Sequence, residues 1–248
     1  MKYRSIFISD LHLGIKHSEV EYFLDFIREN ECENLYLVGD FIDGWALSRK
    51  WFWTTDCNTV IQKILRLMRT RETKIYYIIG NHDDFMENFR GLHFGNMEVC
   101  QKKIHTSLNN KNYLVIHGHQ FDGFLKHNVW LQKFGAVLYE ILLTLNYRLN
   151  RLRRFVGLKR WSLSAYLKQQ TKKAVNFIND FEKTMIYFAK NNKCDGVICG
   201  HIHKSEHKEI ENIEYLNCGD WIESCTALVE DYSGNIKLIQ YNNDGNKI

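Results

Sequence analysis

The chain has 248 residues, 45% of them apolar and 25% charged, with a formal net charge of +4. That composition excludes a disordered or fibrous polymer, and no apolar run of 18 residues is present to cross a bilayer as a helix. Seven scattered cysteines contain no CxxC pair, which excludes a zinc ribbon. The opening stretch MKYRSIFISD has too short an apolar region for a secretory signal, so a cytosolic protein with reduced thiols is expected.

The first apolar run, Ile6–Ile8, reads as a strand and leads directly into Ser9-Asp10-Leu11-His12. Side chains at i and i+2 of an extended chain share a face, so Asp10 and His12 are expected to converge past the strand's carboxyl end. Residues 18–30 place Val20, Phe23, Leu24 and Ile27 on one helical face, with Ser18 as the cap. The run Leu35–Val38 ends in Gly39-Asp40, with Asp43 following in GDFID. Residues 57–71 repeat the helical spacing through Val60, Ile64, Leu67 and Met68. The run Ile75–Ile79 ends in Gly80-Asn81-His82-Asp83. Strand–helix–strand alternation predicts a partly parallel, layered α/β arrangement.

Later strands are expected at 97–106, 112–117, 197–199, 213–217, 225–231 and 235–241, the last two as a hairpin about Ser233-Gly234. Two of them also end in polar residues, giving His117-Gly118-His119 and Gly200-His201-Ile202-His203. A sheet sandwich flanked by helices accommodates both patterns.

Residues 124–190 interrupt this rhythm. They carry 13 Lys/Arg against 3 Asp/Glu, so the rest of the chain is net acidic. Trp130, Phe134, Leu138, Ile141, Leu142 and Leu145 recur at helical spacing, as do Phe177, Ile178, Phe181, Met185 and Phe188. So many large apolar groups indicate a helical insertion within one domain rather than a linker. Its basic charge predicts an anionic partner. The stretch RLNRLRRFVGLKRW has the basic and aromatic mixture of single-strand binders, but a binding scaffold has no need of the side chains considered next, and nucleic acid is the weaker reading.

Five strand ends each deliver Asp, Asn or His, and open α/β sheets bind ligands at the carboxyl ends of their strands. Mixed imidazole, carboxylate and amide donors suit Mn²⁺, Fe²⁺ or Zn²⁺, whereas Ca²⁺ wants oxygen throughout. The donors outnumber the three or four of a mononuclear site, and a pair of ions sharing one carboxylate uses them all.

The series D-x-H, G-D-x-x-D, G-N-H-D, H-G-x and G-H-x-H, from Asp10 to His203, resembles the calcineurin-like metallophosphoesterase superfamily. The resemblance implies a four-layer αββα fold with the 124–190 helices as a cap, and a dinuclear site. Carried over by motif, one metal takes Asp10, His12, Asp40 and His203. The other takes Asp40, Asn81, His117 and His201. Asp43 and His119 fall outside the ligand positions. The implied mechanism is in-line attack of a metal-bridging hydroxide, with His82 as the catalytic group at the phosphate or leaving oxygen and Asp83 orienting it.

Within the superfamily, GDFIDGW followed by WFW, FGNMEV after GNHD, and LNCGDWIESCTALVE resemble the UDP-2,3-diacylglucosamine pyrophosphatase group. That group commonly carries Arg after the Asn of the third motif, where this chain has His82. The resemblance implies cleavage of a UDP-linked acylated sugar to UMP and a lipid phosphate, with Mn²⁺. Asn81, Lys168, Lys172 and Lys173 are the expected substrate contacts. The basic cap is expected to meet an anionic membrane surface from the cytoplasmic side. The rival activity is hydrolysis of a soluble nucleotide or phosphoprotein.

Overall fold

A computed structural model describes residues 1–121, 150, 151, 153, 155, 172–242 and 245–247, without the side chains of 71, 172–175, 242 and 245–247. The chain divides into two compact units, residues 1–119 with 185–248, and residues 120–184. Most of the expected cap, including Lys168, lies outside the described residues. Lys172 and Lys173 open the helix Lys172–Asn191, but their side chains lie outside them too.

Two sheets build the body. Strands β1 (Lys2–Ile8), β2 (Glu31–Val38) and β3 (Lys74–Ile78) are parallel neighbours. Helices α1 (Val20–Glu29) and α3 (Thr55–Arg71) lie between them in sequence, and the short α2 (Gly44–Arg49) precedes α3. Strands β4 (His93–Phe94) and β5 (Met97–Cys100) extend one side, while β11 (Thr226–Glu230), β12 (Ile236–Asn242) and β13 (Gly245–Lys247) extend the other, giving eight strands. The second sheet has five strands in the order β6 (Lys102–Thr106), β7 (Asn112–Ile116), β8 (Gly196–Cys199), β10 (Ile213–Asn217) and β9 (Glu206–Ile210).

Alternation along the central strands sorts side chains into two cores. Ile6 and Ile8 of β1, Leu35 and Leu37 of β2, and Ala227 and Val229 of β11 pack with Phe23, Ile27, Val60 and Ile64 of the helices. The intervening Phe7, Tyr36, Val38 and Leu228 face Tyr113, Val115, Ile198 and Leu216 of the other sheet. Strands buried on both faces read as continuous apolar runs, which is why they stand out in the sequence. Phe7 is fully buried and stacks on Tyr36 at 4.6 Å. Phe7→Ala is expected to cost about 3–5 kcal/mol, measured as a lowered urea midpoint at unchanged slope.

Two expectations are corrected. The strand expected over 97–106 is two strands, β5 and β6, which belong to different sheets, so the chain crosses the sandwich at Gln101. Apolar periodicity continues across such a crossing and hides it. Ser18 does not cap α1: the cap position is Glu19, and Ser18 Oγ donates instead to the Leu11 carbonyl. That bond fixes the loop carrying His12.

Candidate metal centre

The loops after β1, β2, β3, β7 and β8 bring the expected residues together. β1 ends at Ile8, so Asp10 and His12 stand beyond it, both in the left-handed region with φ of 54° and 49°. Their convergence therefore comes from two left-handed turns, not from strand alternation. Asp40, His201 and His203 share this conformation, with φ of 52°, 71° and 52°. Five non-glycine residues of one site held there point to function, because each such position costs about 1–3 kcal/mol.

The ligand-type atoms of the expected metal ligands form two groups. Asp10, His12 and His203 gather in one, and Asp40, His117 and His201 in the other. Asp10 Oδ1 lies 3.2 Å from His203 Nε2 and 3.7 Å from His12 Nε2. Asp40 Oδ2 stands between the groups, 3.8 Å from His12 Nε2 and 3.2 Å from His117 Nε2. Glycines let the loops close. A Cβ on Gly200 would sit 2.5 Å from Asp10 Oδ2, and one on Gly80 would collide with Asp40 Oδ1.

The donors fit a divalent transition metal. Asp10 Oδ1, His12 Nε2, Asn81 Oδ1 and His117 Nε2 are buried without a hydrogen bond to any described residue. Buried polar atoms are almost always satisfied, so three orphans of mixed oxygen and nitrogen type within the two groups, with Asn81 Oδ1 a fourth on the loop after β3, fit a cation site. The remaining atoms are engaged in ways that aim these. His12 Nδ1 lies 2.9 Å from Asp43 Oδ2, and His117 Nδ1 donates to the Val38 carbonyl at 2.8 Å, leaving each Nε2 for ligation. Asp10 Oδ2 accepts the His201 N–H and Asp40 Oδ1 accepts the His82 N–H.

Electrostatics agree. Burial alone would raise the Asp10 carboxyl, but His203, His12 and His117 hold it well below the usual range. Burial opposes charge on His117 too, yet Asp40 and Asp10 push it up to about 9. A cation binding here therefore replaces protons as well as water.

Asp43 and His82 form a third group with His12. Asp43 Oδ2 lies 3.0 Å from His82 Nδ1 as well as 2.9 Å from His12 Nδ1, and its Oδ1 accepts the Ala46 N–H, capping α2. His12 Nδ1 hydrogen-bonds to the carboxylate and His82 Nδ1 faces the same oxygen at ion-pair distance, so Asp43 stands behind two imidazoles. Sequence reading left Asp43 outside the ligands; the structure places it behind His12. Asp83 departs from expectation. It does not orient His82; its oxygens accept from Gly80 N, Phe41 N and Tyr77 Oη, which braces the loop. The residue missed as His82's partner was Asp43. The signal available was its place in GDFID, three residues after Asp40. His119 begins a 3-10 turn, its ring 5.5 Å from that of His117.

Imidazoles and carboxylates collected at the strand ends of a two-sheet sandwich define a metal-binding hydrolase. Residues 3–205 match the family model described as Calcineurin-like phosphoesterase, and the chain belongs to that family. A UDP-2,3-diacylglucosamine hydrolase of Psychromonas ingrahamii is 27% identical over 246 residues, covering 95% of this chain and 96% of its own. The protein of the same name from Histophilus somni is 28% identical, covering 94% and 97%. A solved structure of a hypothetical protein from Pyrococcus horikoshii superposes with a TM-score of 0.50 at 10% identity, covering 98% of this chain and 90% of that one, and shares the fold. Among the described residues, no helix is long and apolar enough to cross a membrane.

Proposed function

We propose that the chain hydrolyses the pyrophosphate bond of UDP-2,3-diacylglucosamine, or of a related lipid-linked nucleotide, to UMP and a lipid phosphate. The observation that carries this reading is similarity along nearly the whole of both chains to proteins of that name. Two divalent ions would be held, Mn²⁺ first, with Fe²⁺ or Zn²⁺ as the alternatives. Asp10, His12, Asp40 and His203 would hold one; Asp40, Asn81, His117 and His201 the other. When bound, the ions supply positive charge against the phosphoryl oxygens and lower the pKa of a water.

The chain's own part is orientation and proton transfer. His12 and His117 are locked with Nε2 toward the cage by Asp43 and Val38. Asp43 Oδ2 lies 3.0 Å from His82 Nδ1, which directs His82 Nε2 to meet the phosphate or protonate the leaving oxygen. Trp45 packs on His82 at 4.5 Å between ring centres and is 43% exposed; Phe85, 40% exposed, borders Gly44. This apolar rim suits a substrate with acyl chains. In this reading Lys168, Lys172 and Lys173 of the basic segment meet pyrophosphate, and the segment meets anionic lipid at the cytoplasmic face of the membrane.

The test compares UMP release from the diacylated sugar nucleotide and from its deacylated analogue. Burial of even four methylenes is worth about 3 kcal/mol, so kcat/KM is expected to fall by about 10²-fold for the analogue. Equal values would overturn the lipid substrate and return the activity to soluble nucleotides.

A further inference from the structure

The segment 217–224, NCGDWIES, supplies no ligand atom to the cage, yet it ties two of its loops together. Asn217 Nδ2 donates to the Gly200 carbonyl at 2.9 Å, immediately before His201. Ser9 Oγ donates to the Gly219 carbonyl at 2.9 Å, and Trp221 N–H donates to the Asp10 carbonyl at 3.1 Å. The fully buried Asp220 shapes this turn. Its Oδ1 accepts the N–H groups of Ile222, Glu223 and Ser224, and its Oδ2 accepts Ser224 Oγ at 3.2 Å. Asp220 Oδ2 also lies 3.9 Å from His203 Nδ1. That nitrogen is buried and makes no hydrogen bond to a described residue, while Nε2 of the same ring faces Asp10 Oδ1 at 3.2 Å.

We infer that Asp220 is a positioning residue for the ligand His203. A carboxylate behind Nδ1 draws the ring proton to that nitrogen and leaves the Nε2 lone pair for the cation at the Asp10–His12–His203 group. The separation is about 1 Å longer than a hydrogen bond, so the inference requires the two groups to draw together when a cation takes Nε2. The arrangement repeats what Asp43 does for His12 and what the Val38 carbonyl does for His117, so three imidazoles of the cage each have an acceptor behind Nδ1. The turn is held chiefly by the three backbone bonds to Oδ1, while Oδ2, which accepts Ser224 Oγ, is the oxygen that faces the histidine.

This inference rests on the proposed reading that each group binds an ion. The test titrates Mn²⁺ into metal-free protein by calorimetry, comparing the wild type with Asp220→Asn and Ser224→Ala. Asparagine keeps Oδ1 for the three backbone donors but turns an N–H toward His203 Nδ1, which favours the opposite tautomer. The affinity for one equivalent is expected to fall about 10–100-fold in Asp220→Asn, with the other equivalent unchanged and Ser224→Ala like the wild type. In metal-free protein at alkaline pH, where Asp10 faces Nε2 and Asp220 faces Nδ1, the ¹⁵N shifts of His203 are expected to move further toward the Nε2–H form in Asp220→Asn. Wild-type affinities and tautomer in Asp220→Asn would overturn the inference. So would an equal loss in Ser224→Ala, which would assign the effect to the turn. A wild type that binds fewer than two equivalents would overturn the two-ion reading and this inference with it; two equivalents bound equally by Asp220→Asn would overturn only the inference.

Discussion

Asp40→Asn is expected to lower turnover by roughly 10³-fold, corresponding to about 4 kcal/mol of lost transition-state stabilisation. The size follows from position. One oxygen, Oδ2, faces both groups, 3.8 Å from His12 Nε2 and 3.2 Å from His117 Nε2, so loss of its charge weakens cation binding on both sides. Asparagine preserves an oxygen to accept the His82 N–H, and the loop after β3 keeps its anchor. Elemental analysis after chelation and reloading checks the cause. Wild type is expected to recover metal and activity together, and the variant to recover neither. Full metal content in the variant with normal turnover would remove Asp40 from the site's chemistry.

The second large effect belongs to His82. His82→Ala is expected to lower kcat by about 10²–10⁴-fold on a substrate with a poor leaving group, at unchanged metal content. On an activated nitrophenyl ester the loss is expected to be much smaller, because that leaving group needs no proton. Asp43 acts through the same imidazole, so Asp43→Asn on a His82→Ala background is expected to cost less than it does alone, by about 0.5–3 kcal/mol of coupling. What remains of its effect is the share passed through His12. Equal losses on both esters would deny His82 a proton-transfer role.

The sequence made the strand ends legible because β1, β2 and β3 are buried on both faces. Their apolar runs stop where Asp10, Asp40 and Asn81 begin, and the change in side-chain chemistry falls at the sheet's edge. β7 and β8 do the same for His117 and His201. The partnerships within the site were not legible. Asp43 and Asp83 each follow another site residue in a polar loop, and pattern alone gives both the same standing. Which of them faces His82 depends on backbone direction: Asp83 is drawn inward by Tyr77 Oη and two N–H groups, while the start of α2 turns Asp43 toward the imidazoles. The left-handed conformations at Asp10 and His12 were equally hidden, since Asp and His enter that region often enough to give no warning. NCGDWIES stood out as a string, but its contacts with Ser9 and Asp10 cross most of the chain and those with Gly200 and His203 cross to another strand end, beyond the reach of any local pattern.

β1 sits between β2 and β11 in the eight-stranded sheet, with Ile6 opposite Val229 and Phe7 opposite Leu228. One of its two hydrogen-bonding partners, β11, begins only at Thr226, so it is synthesised long after β1. Until then the nascent chain carries an apolar strand with a bare edge, the kind of template that recruits other chains. Chains interrupted between β1 and residue 226 would be aggregation-prone, and a chaperone would matter most while β1 waits for β11.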